Sequence, residues 1–412
     1  MQRSTLYTGI VAAASIVTLA ACSDQSATST GLRPNGGPSR AVAVTARPTY
    51  TPPQDADGTY LLDRVCDVFI GEQAGLAPAP QMYEHETVVV VPAGAKIKLV
   101  GDAAMQASGS KKFTCDATDR NADGSPNLDA NGQPQAVIEP TTLHAARGDG
   151  PEINTDGVDL DLNGYSIESF PSAADLTGDI TLANVNFFIS GTDVTVRNSA
   201  AVEADGVTGV SKIERFGHSV DAQGTNVKIL GDVFGGVYNF QVSGGVSIRN
   251  HSGITLVDKI RSEDLDAVNG QGILVRRCAA GSRTTVSNSY FVGGSEGAFI
   301  RECSGVTFEN NVLGSNGTGD GLTTRQAIST AAAPIVLRGN TVANNLRSGL
   351  VWGRDSRNNG GLVISGNIIS QWGECGIRLA TKGTTIAPLT VAGITAANTF
   401  DRTTTRVCQQ GQ

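Results

Sequence analysis

The sequence predicts an all-β chain that coils as a right-handed parallel β-helix solenoid with an N-terminal cap region. Two observations predict this fold. Short alternating segments recur every 22 to 29 residues, and the composition is rich in Gly (50 of 412 residues) and poor in aromatic residues (5%). Repeated short strands with Gly and Asn turns suit such a composition better than helices do. No segment shows a convincing helical period, and a β-propeller is the main alternative fold.

The first class of repeated segment alternates apolar with polar residues and ends in Asn or Gly. Its members are Val158–Gly164, Val194–Asn198, Val246–Asn250, Thr284–Asn288, Val306–Asn310, Ile335–Gly339 and Leu362–Gly366. An alternating strand has one apolar face, which it can bury only by stacking on the next coil. Asn tolerates the left-handed conformation of a turn and can bond to the Asn of the next coil. We therefore expect Asn311, Asn340 and Asn367 to form one column.

The second class of segment follows the later members of the first. Its members are Gly272–Arg276, Gly297–Arg301, Gly321–Arg325, Gly349–Gly353 and Gly376–Ala380. Alternate residues of a strand point outward, which places Arg276, Arg301 and Arg325 on one external face with one residue per coil. Because like charges repel at this spacing, such a column suits a repeating anion such as a uronate chain. A solvated face balanced by Glu302 is the alternative interpretation.

Six of the seven Cys residues lie after Cys22, an even number that suits an oxidising compartment. Cys278 and Cys303 occupy the same place in adjacent repeats, two residues after an arginine of the column. Adjacent strands lie ~4.8 Å apart, inside the ~4.4–6.8 Å window for bridged Cα atoms. A disulfide is predicted there, with free buried thiols as the alternative. The remaining four suggest the pairs Cys66–Cys115 and Cys375–Cys408.

The first residues predict export. Residues 1–21 have Arg3 followed by an apolar stretch too short for a comfortable membrane span, as in a signal peptide. Leu19-Ala20-Ala21-Cys22 resembles the lipobox of bacterial lipoproteins, in which the Cys carries the lipid anchor. An ordinary signal peptide with a chance Cys is the alternative. Residue Ser23 resembles an outer-membrane sorting signal, so we expect a lipoprotein of the outer membrane or cell surface.

Composition divides the rest of the chain. Residues 22–57 are rich in Ser, Thr, Pro and Gly and predict a disordered tether. Residues 58–134 do not repeat and predict the cap region, 135–400 the β-helix and 401–412 a C-terminal tail. The net charge is -8, and the absence of a basic domain argues against nucleic-acid binding.

Two acidic segments are candidate sites. Asp264 and Asp266 would share a strand face with Cα atoms ~6.5–7 Å apart, near the ~6.5–9.5 Å carboxyl spacing of inverting glycosidases. They could equally hold Ca²⁺, or form a polar turn. Asp119, Asn121 and Asp123 precede a Gly as in an EF-type calcium loop, although the twelfth position lacks the expected Glu. Ca²⁺ is thus a candidate cofactor, and a merely polar loop is the alternative.

The phrase Val158-Asp-Leu-Asp-Leu-Asn-Gly-Tyr-Ser-Ile167 and the repeats over about 135 to 400 resemble the pectate-lyase-like right-handed β-helix superfamily. Asn154-Thr-Asp156 resembles a motif of its polygalacturonase-type hydrolases, whose further motifs this chain lacks. The resemblance implies the fold but leaves lyases, hydrolases, epimerases, adhesins and structural proteins open.

Two functions follow as hypotheses. The first is a surface protein that binds glycan or a partner along its side without catalysis. The second is a polysaccharide lyase or glycoside hydrolase that acts on an anionic uronate polysaccharide. In that case Arg276, Arg301 and Arg325 would contact the substrate, and Asp264 and Asp266 would act as acids or metal ligands.

Overall fold

The computed structural model describes residues 49–66, 68–71, 87–115, 151–169, 187–201, 211, 213–214, 218–231, 244–263, 271–315, 319–380 and 383–409. All pairs of its named strands are parallel, and the strands lie in five sheets that we name A to E. Through the repeat, the chain passes from a strand of sheet A to one of sheet B, then to one of sheet C, and back to sheet A. This path is that of a parallel β-helix.

Sheet A has thirteen strands. In spatial order they are β1 (Thr49–Tyr50), β4 (Thr87–Val90), β3 (Val68–Gly71), β7 (Glu152–Ile153), β10 (Phe187–Ile189), β13 (His218–Ala222), β15 (Gly244–Arg249), β18 (Gln271–Arg276), β21 (Glu296–Arg301), β24 (Asp320–Arg325), β28 (Ser348–Trp352), β32 (Cys375–Leu379) and β34 (Val407–Gln409).

Sheet B has ten strands. They are β2 (Tyr60–Leu62), β5 (Lys96–Leu99), β8 (Asp159–Asp161), β11 (Thr195–Arg197), β14 (Lys228–Leu230), β16 (Ile254–Asp258), β19 (Arg283–Ser287), β22 (Val306–Glu309), β26 (Val336–Arg338) and β30 (Val363–Ser365).

The other sheets are smaller. Sheet C holds β17 (Arg261–Glu263), β20 (Tyr290–Val292), β23 (Val312–Gly314), β27 (Thr341–Ala343), β31 (Ile368–Ile369) and β33 (Thr399–Phe400). Sheet D holds β12 (Ile213–Glu214), β9 (Ser166–Ser169) and β6 (Lys112–Cys115), and sheet E holds β25 (Ile328–Thr330) and β29 (Arg357–Asn359). Two six-residue helices, α1 (Ala103–Ser108) and α2 (Val391–Ala396), are short exceptions to the expectation of an all-strand chain.

The core is a set of stacked apolar columns, as the alternating pattern predicts. In sheet B, Val286 lies opposite Phe308, which lies opposite Leu337. In sheet C, Phe291 and Leu313 continue the same stacking, and all of these side chains are buried. Each coil therefore removes its apolar face from water only because a neighbouring coil covers it.

A buried ladder of amides runs along the turn that joins sheets B and C. Asn311 Nδ2 donates to Asn340 Oδ1 at 3.0 Å, and Asn340 Nδ2 donates to Asn367 Oδ1 at 3.0 Å. Asn367 Nδ2 extends the ladder to Asn398 at 2.8 Å. The first three side chains are fully buried. The predicted Asn column is confirmed, and it satisfies buried polar groups that would otherwise be costly.

All three predicted disulfides are confirmed. Their Cα–Cα distances are 5.1 Å for Cys66–Cys115, 4.8 Å for Cys278–Cys303 and 6.0 Å for Cys375–Cys408. The second bridge links two adjacent coils, as the stacking argument requires.

One assignment of the repeat was wrong. The segment Val246–Asn250 was grouped with the first class, yet it lies in sheet A, where Val246 is opposite Ile273 and Arg249 opposite Arg276. Alternation and a terminal Asn did not distinguish the two classes here. The Gly-x-x-x-Arg spacing of Gly245 and Arg249 does distinguish the two classes, because the second class shares this spacing.

The sheets also begin before residue 135. Strands β2 to β5, in the region predicted as a cap, pair within sheets A and B, and β34 joins the C-terminal tail to sheet A. Even β1, in the predicted tether, pairs with β4. The domain boundaries themselves stay predictions.

Candidate functional site

An arginine column crosses the outer face of sheet A. Arg249, Arg276, Arg301 and Arg325 are consecutive register partners in β15, β18, β21 and β24. Their Cα atoms are therefore about one strand spacing apart, ~4.8 Å. The structure brings together the three arginines that the sequence singled out and adds Arg249 to them.

Two arginines of the column, Arg249 and Arg301, are paired with carboxylates. Asp221 is completely buried, and both of its oxygens accept from Arg249 Nε, at 2.9 and 3.0 Å. Burial without such a partner would be costly for this carboxylate. Further along, Arg301 Nε donates to Glu302 at 3.0 Å, and only 15% of the Arg301 side chain is exposed. Much of the column is thus committed to internal contacts.

Arg325 differs from the rest of the column. Its side chain is exposed, and among the residues that the structure describes no hydrogen bond or ion pair of its guanidinium is found. It lies at the end of the column, because the next strand places Gly353 after Trp352, where another arginine would continue the series.

An acidic edge lies at the opposite ends of the same strands. Glu296 of β21 is the register partner of Asp320 of β24. The Asp320 side chain is only 5% exposed, and burial raises the pKa of its carboxyl, while Arg347 and Arg378 oppose that shift. Asp320 Oδ1 accepts from the Ser348 backbone N–H at 2.8 Å. Two carboxyl groups of sheet A therefore lie at the starts of β21 and β24, whereas the arginines lie at the ends of β15, β18, β21 and β24.

A second column follows the arginines, at the corner where the chain leaves sheet A for sheet B. We call this turn the A–B corner. One residue of each coil adopts a left-handed conformation there, with φ between 51° and 58°: Asn250, Arg277, Glu302, Gln326 and Asp355. Their backbones stack. For example, Arg277 N–H donates to Arg301 O and Gln326 N–H to Arg354 O, at 3.0 and 2.9 Å. Sequence reasoning missed this column, although each of its first four members directly follows a Gly-x-x-x-Arg segment.

Side chains of the Asn154-Thr-Asp156 motif form hydrogen bonds to the next coil. Asn154 Nδ2 donates to Ser190 Oγ at 2.8 Å, and Asp156 Oδ1 accepts from the Thr192 backbone N–H at 2.8 Å. Nearby, Asp159 accepts from Arg197 at 2.8 Å. These residues join one coil to the next, and nothing in their contacts indicates a hydrolase site.

Several candidate residues lie outside the described residues. They are the proposed lipid anchor Cys22, the possible calcium ligands Asp119, Asn121 and Asp123, and the acidic pair Asp264 and Asp266. Within the described ranges, no group of three or more His, Cys, Asp or Glu could hold a metal ion. Nor does that part of the chain contain a helix long and apolar enough to cross a membrane.

Comparison with known proteins supports the fold. Residues 217–391 match a family model described as a right-handed β-helix region, and this segment contains the whole arginine column. Searches of curated proteins and of solved structures each returned no significant match. The family match and the long parallel sheets together show that this chain folds as a right-handed parallel β-helix.

Proposed function

We propose that this protein binds an anionic glycan, or a partner of similar charge, along the side of its β-helix without acting on it chemically. The observation that carries the proposal is the in-register stack of Arg249, Arg276, Arg301 and Arg325 on sheet A. A repeating cation along a rigid solenoid matches a polymer that carries a charge on each sugar. Guanidinium groups suit carboxylates and sulfates because they can donate two parallel hydrogen bonds.

We propose binding without catalysis because of the positions of the carboxyl groups and arginines of sheet A. The carboxylates beside the arginines, Asp221 and Glu302, already accept hydrogen bonds from them, and the carboxyl pair Glu296 and Asp320 is at the far ends of the strands. Arg301 comes five positions after Glu296 in β21, which is roughly 16 Å of extended chain. A proton donor and the cation that neutralises a substrate carboxylate would have to act on the same sugar, within hydrogen-bond reach.

Binding and chemistry can be tested in one experiment. The purified chain is incubated with polygalacturonate, alginate and neutral dextran, with and without Ca²⁺. We expect binding to the two uronate polymers in calorimetry, no increase in ultraviolet absorbance from unsaturated products, and no release of reducing ends. Binding to dextran with equal affinity would contradict the charge-based proposal.

A lyase is the second candidate, and the exposed guanidinium of Arg325 favours it. A cation held at the end of a column of other cations could contact the substrate directly. In this case absorbance would rise on one polymer and fall in the Arg325→Gln variant, while binding persists. Reducing ends without absorbance would instead indicate a hydrolase and direct attention to Asp264 and Asp266.

The same proposal includes the location of the protein. We infer an exported lipoprotein of the outer membrane or cell surface, held through lipid on Cys22, because the Leu-Ala-Ala-Cys sequence follows an apolar stretch. Replacement Cys22→Ser should move the protein from the membrane fraction to the soluble fraction. Calcium binding at Asp119, Asn121 and Asp123 stays a separate proposal, which calcium titration of an Asp123→Asn variant would test.

A further inference from the structure

The left-handed residues of the A–B corner are unusual in kind. A residue with a Cβ atom loses roughly 1–2 kcal/mol in this conformation relative to the ordinary one, whereas Gly adopts it freely. At the turn from sheet B to sheet C, the left-handed residues include Gly339 and Gly366 beside Lys259, Asn288 and Asn310. None of the five left-handed residues at the A–B corner is Gly.

Three of the five, Arg277, Glu302 and Gln326, have long polar side chains at positions where Gly would cost less. Backbone strain of this kind is concentrated at sites where a side chain has a role. Arg277 and Glu302 are two such residues on adjacent coils, and both reach outward. The Arg277 side chain is 48% exposed, compared with 15% for Arg301 in the neighbouring arginine column.

Four exposed arginines gather at this corner. We call them the corner ridge, and its members are Arg277, Arg325, Arg354 and Arg357. Of the ridge members that form an ion pair, Arg354 is the most exposed, at 64%. Arg277 and Arg325 lie two coils apart, and Arg354 and Arg357 share the coil after Arg325, since Gln326 N–H donates to Arg354 O and Arg357 N–H donates to Ala327 O. From Arg277 to Arg354 the ridge spans three coil spacings, about 14 Å.

Two carboxylates orient the ridge without neutralising it. Glu302 accepts from Arg277 Nε at 3.3 Å and from Arg301 Nε at 3.0 Å, so it connects the ridge to the column. Asp355 forms an ion pair with Arg354, in which Oδ2 and Nε are 3.4 Å apart. Ion pairs this exposed contribute little net stability, so a ligand anion can replace them at small cost. Four guanidinium groups against two carboxylates leave the ridge positive.

The surrounding charge has the same sign. Residues 319–412 hold nine Lys and Arg but four Asp and Glu, although the whole chain has a net charge of -8. Three of the nine cations are Arg325, Arg354 and Arg357 of the ridge itself, and the other six add to the positive charge of this part of the chain. Such local fields attract polyanions and raise their rate of association.

We infer that the corner ridge is the surface that first contacts the ligand, and that it binds a linear polyanionic glycan lying parallel to the solenoid axis across four coils. This inference rests on the proposed function, because it assumes an anionic ligand. It moves the principal contacts from the largely committed arginines of the column to the exposed arginines of the corner. Carboxylate and sulfate groups share the chemistry that the ridge recognises.

The test compares the ridge with arginines elsewhere. The ridge variant is Arg277→Gln/Arg354→Gln/Arg357→Gln in the full chain. The control variant, Lys228→Gln/Arg261→Gln/Arg338→Gln, removes the same charge from exposed positions on sheets B and C. Affinity for polygalacturonate and for dextran sulfate is measured by calorimetry at several salt concentrations, and thermal unfolding verifies that each variant folds.

We expect the ridge variant to lose at least about tenfold in affinity for one or both polymers, because it removes three exposed charge contacts. Its affinity should also depend less on salt. The control variant should stay within about twofold of the wild type.

Other outcomes separate the two proposals. Equal losses in the ridge and control variants would reduce the effect to net charge and overturn the ridge. Loss of binding in a folded Arg301→Gln variant, with the ridge variant unaffected, would also overturn the ridge but would leave the proposed function intact. A wild-type chain that binds neither polymer at low salt would overturn both.

Discussion

The A–B corner and the turn from sheet B to sheet C, which we call the B–C corner, use different kinds of residues to turn the chain. At the turn from sheet B to sheet C, the left-handed residues include Lys259, Asn288, Asn310, Gly339 and Gly366, and the residues after the last three form the buried Asn ladder. A Cβ added at Gly339 would come within 2.6 Å of Asn310 Oδ1, so this corner is tightly packed. The A–B corner holds long charged residues and is open. One corner is built for stacking, and the other leaves side chains available to a ligand.

Different interactions also connect adjacent coils at the two corners. Hydrogen bonds between buried amides connect coils at the B–C corner, whereas the Cys278–Cys303 disulfide connects two coils at the A–B corner. A covalent link keeps its geometry even where neighbouring side chains are solvated. The comparison predicts that stability depends mainly on the disulfide and the amides, and that polyanion binding depends on the exposed arginines.

The largest expected effect is the loss of the disulfide. The variant Cys278→Ser/Cys303→Ser should lower the free energy of unfolding by about 3.5 kcal/mol, because the bridge closes a loop with a sequence separation of 25. Denaturant unfolding followed by circular dichroism measures it. The variant Cys375→Ser/Cys408→Ser is the matched control, since its separation of 33 gives a similar chain-entropy effect.

Binding distinguishes the two disulfide variants. Removal of Cys278–Cys303 should also weaken polyanion binding, because this bridge holds the coils that carry Arg277 and Glu302. Removal of Cys375–Cys408 should leave the affinity unchanged. Equal affinities for both variants would show that the bridge does not position the ridge.

The second effect is the loss of one ladder amide. Asn340 is fully buried, and its Nδ2 donates both to Phe308 O and to Asn367 Oδ1, each at 3.0 Å. Asn340→Ala leaves those acceptors and the amide of Asn311 short of a partner, which should cost about 3 kcal/mol. Gln326→Ala, at the A–B corner, is the control and should change stability by less than about 0.5 kcal/mol. Similar losses in the two variants would contradict the difference between the corners.

The third effect is a dependence on pH. His251 follows Asn250 at the A–B corner, points inward, and bonds through Nε2 to Thr284 Oγ1 at 2.7 Å. Burial lowers the pKa of His251 from 6.5 to about 4. The unfolded chain therefore binds a proton that the folded chain does not, and stability that is complete above pH 6.5 falls as the pH decreases toward 4.

Between pH 7.5 and pH 5, this group should cost about 2 kcal/mol of unfolding free energy. Denaturation midpoints measured across that range in the wild type and in His251→Gln provide the test. The variant should be less stable at pH 7.5 and should have a flatter pH profile. Parallel profiles would assign the pH dependence to other groups.

The sequence predicted the repeat, the register of Arg276 with Arg301 and of Arg301 with Arg325, the Asn column and the disulfide pairs. All of these except the pairs Cys66–Cys115 and Cys375–Cys408, which were assigned from the remaining cysteines, depend on one periodic rule, the stacking of equivalent positions. It failed at Val246–Asn250, because the alternation of a strand does not say which sheet the strand joins. Arg249 was missed with it.

The ridge could not be predicted from the periodicity. Arg277, Arg354 and Arg357 lie in turns, where no alternation sets the direction of a side chain. Only the backbone shows that Arg277 is left-handed and that Arg354 stacks on Gln326. For Arg301, the alternation of the strand correctly predicted an outward side chain. Its limited exposure of 15% depends on packing, which the sequence does not show.

The smallest expected effect is the most direct test of the A–B corner. Arg277→Gly replaces a strained left-handed residue by the one that adopts φ 53° without strain. It should stabilise the folded chain by up to about 1 kcal/mol, offset in part by the greater freedom of Gly in the unfolded chain. It should also weaken polyanion binding several-fold, because one guanidinium of the ridge is lost.

Gains in stability with losses in binding are what a strained functional position predicts. Arg325→Gly is the control, because its residue is not left-handed, and it should lower both stability and binding. If Arg277→Gly is stabilising and binds polygalacturonate as well as the wild type does, the side chain at this corner has no role in recognition. If it is destabilising, Arg277 contributes more through Glu302 than its exposure suggests, and the corner resembles the packed turn from sheet B to sheet C.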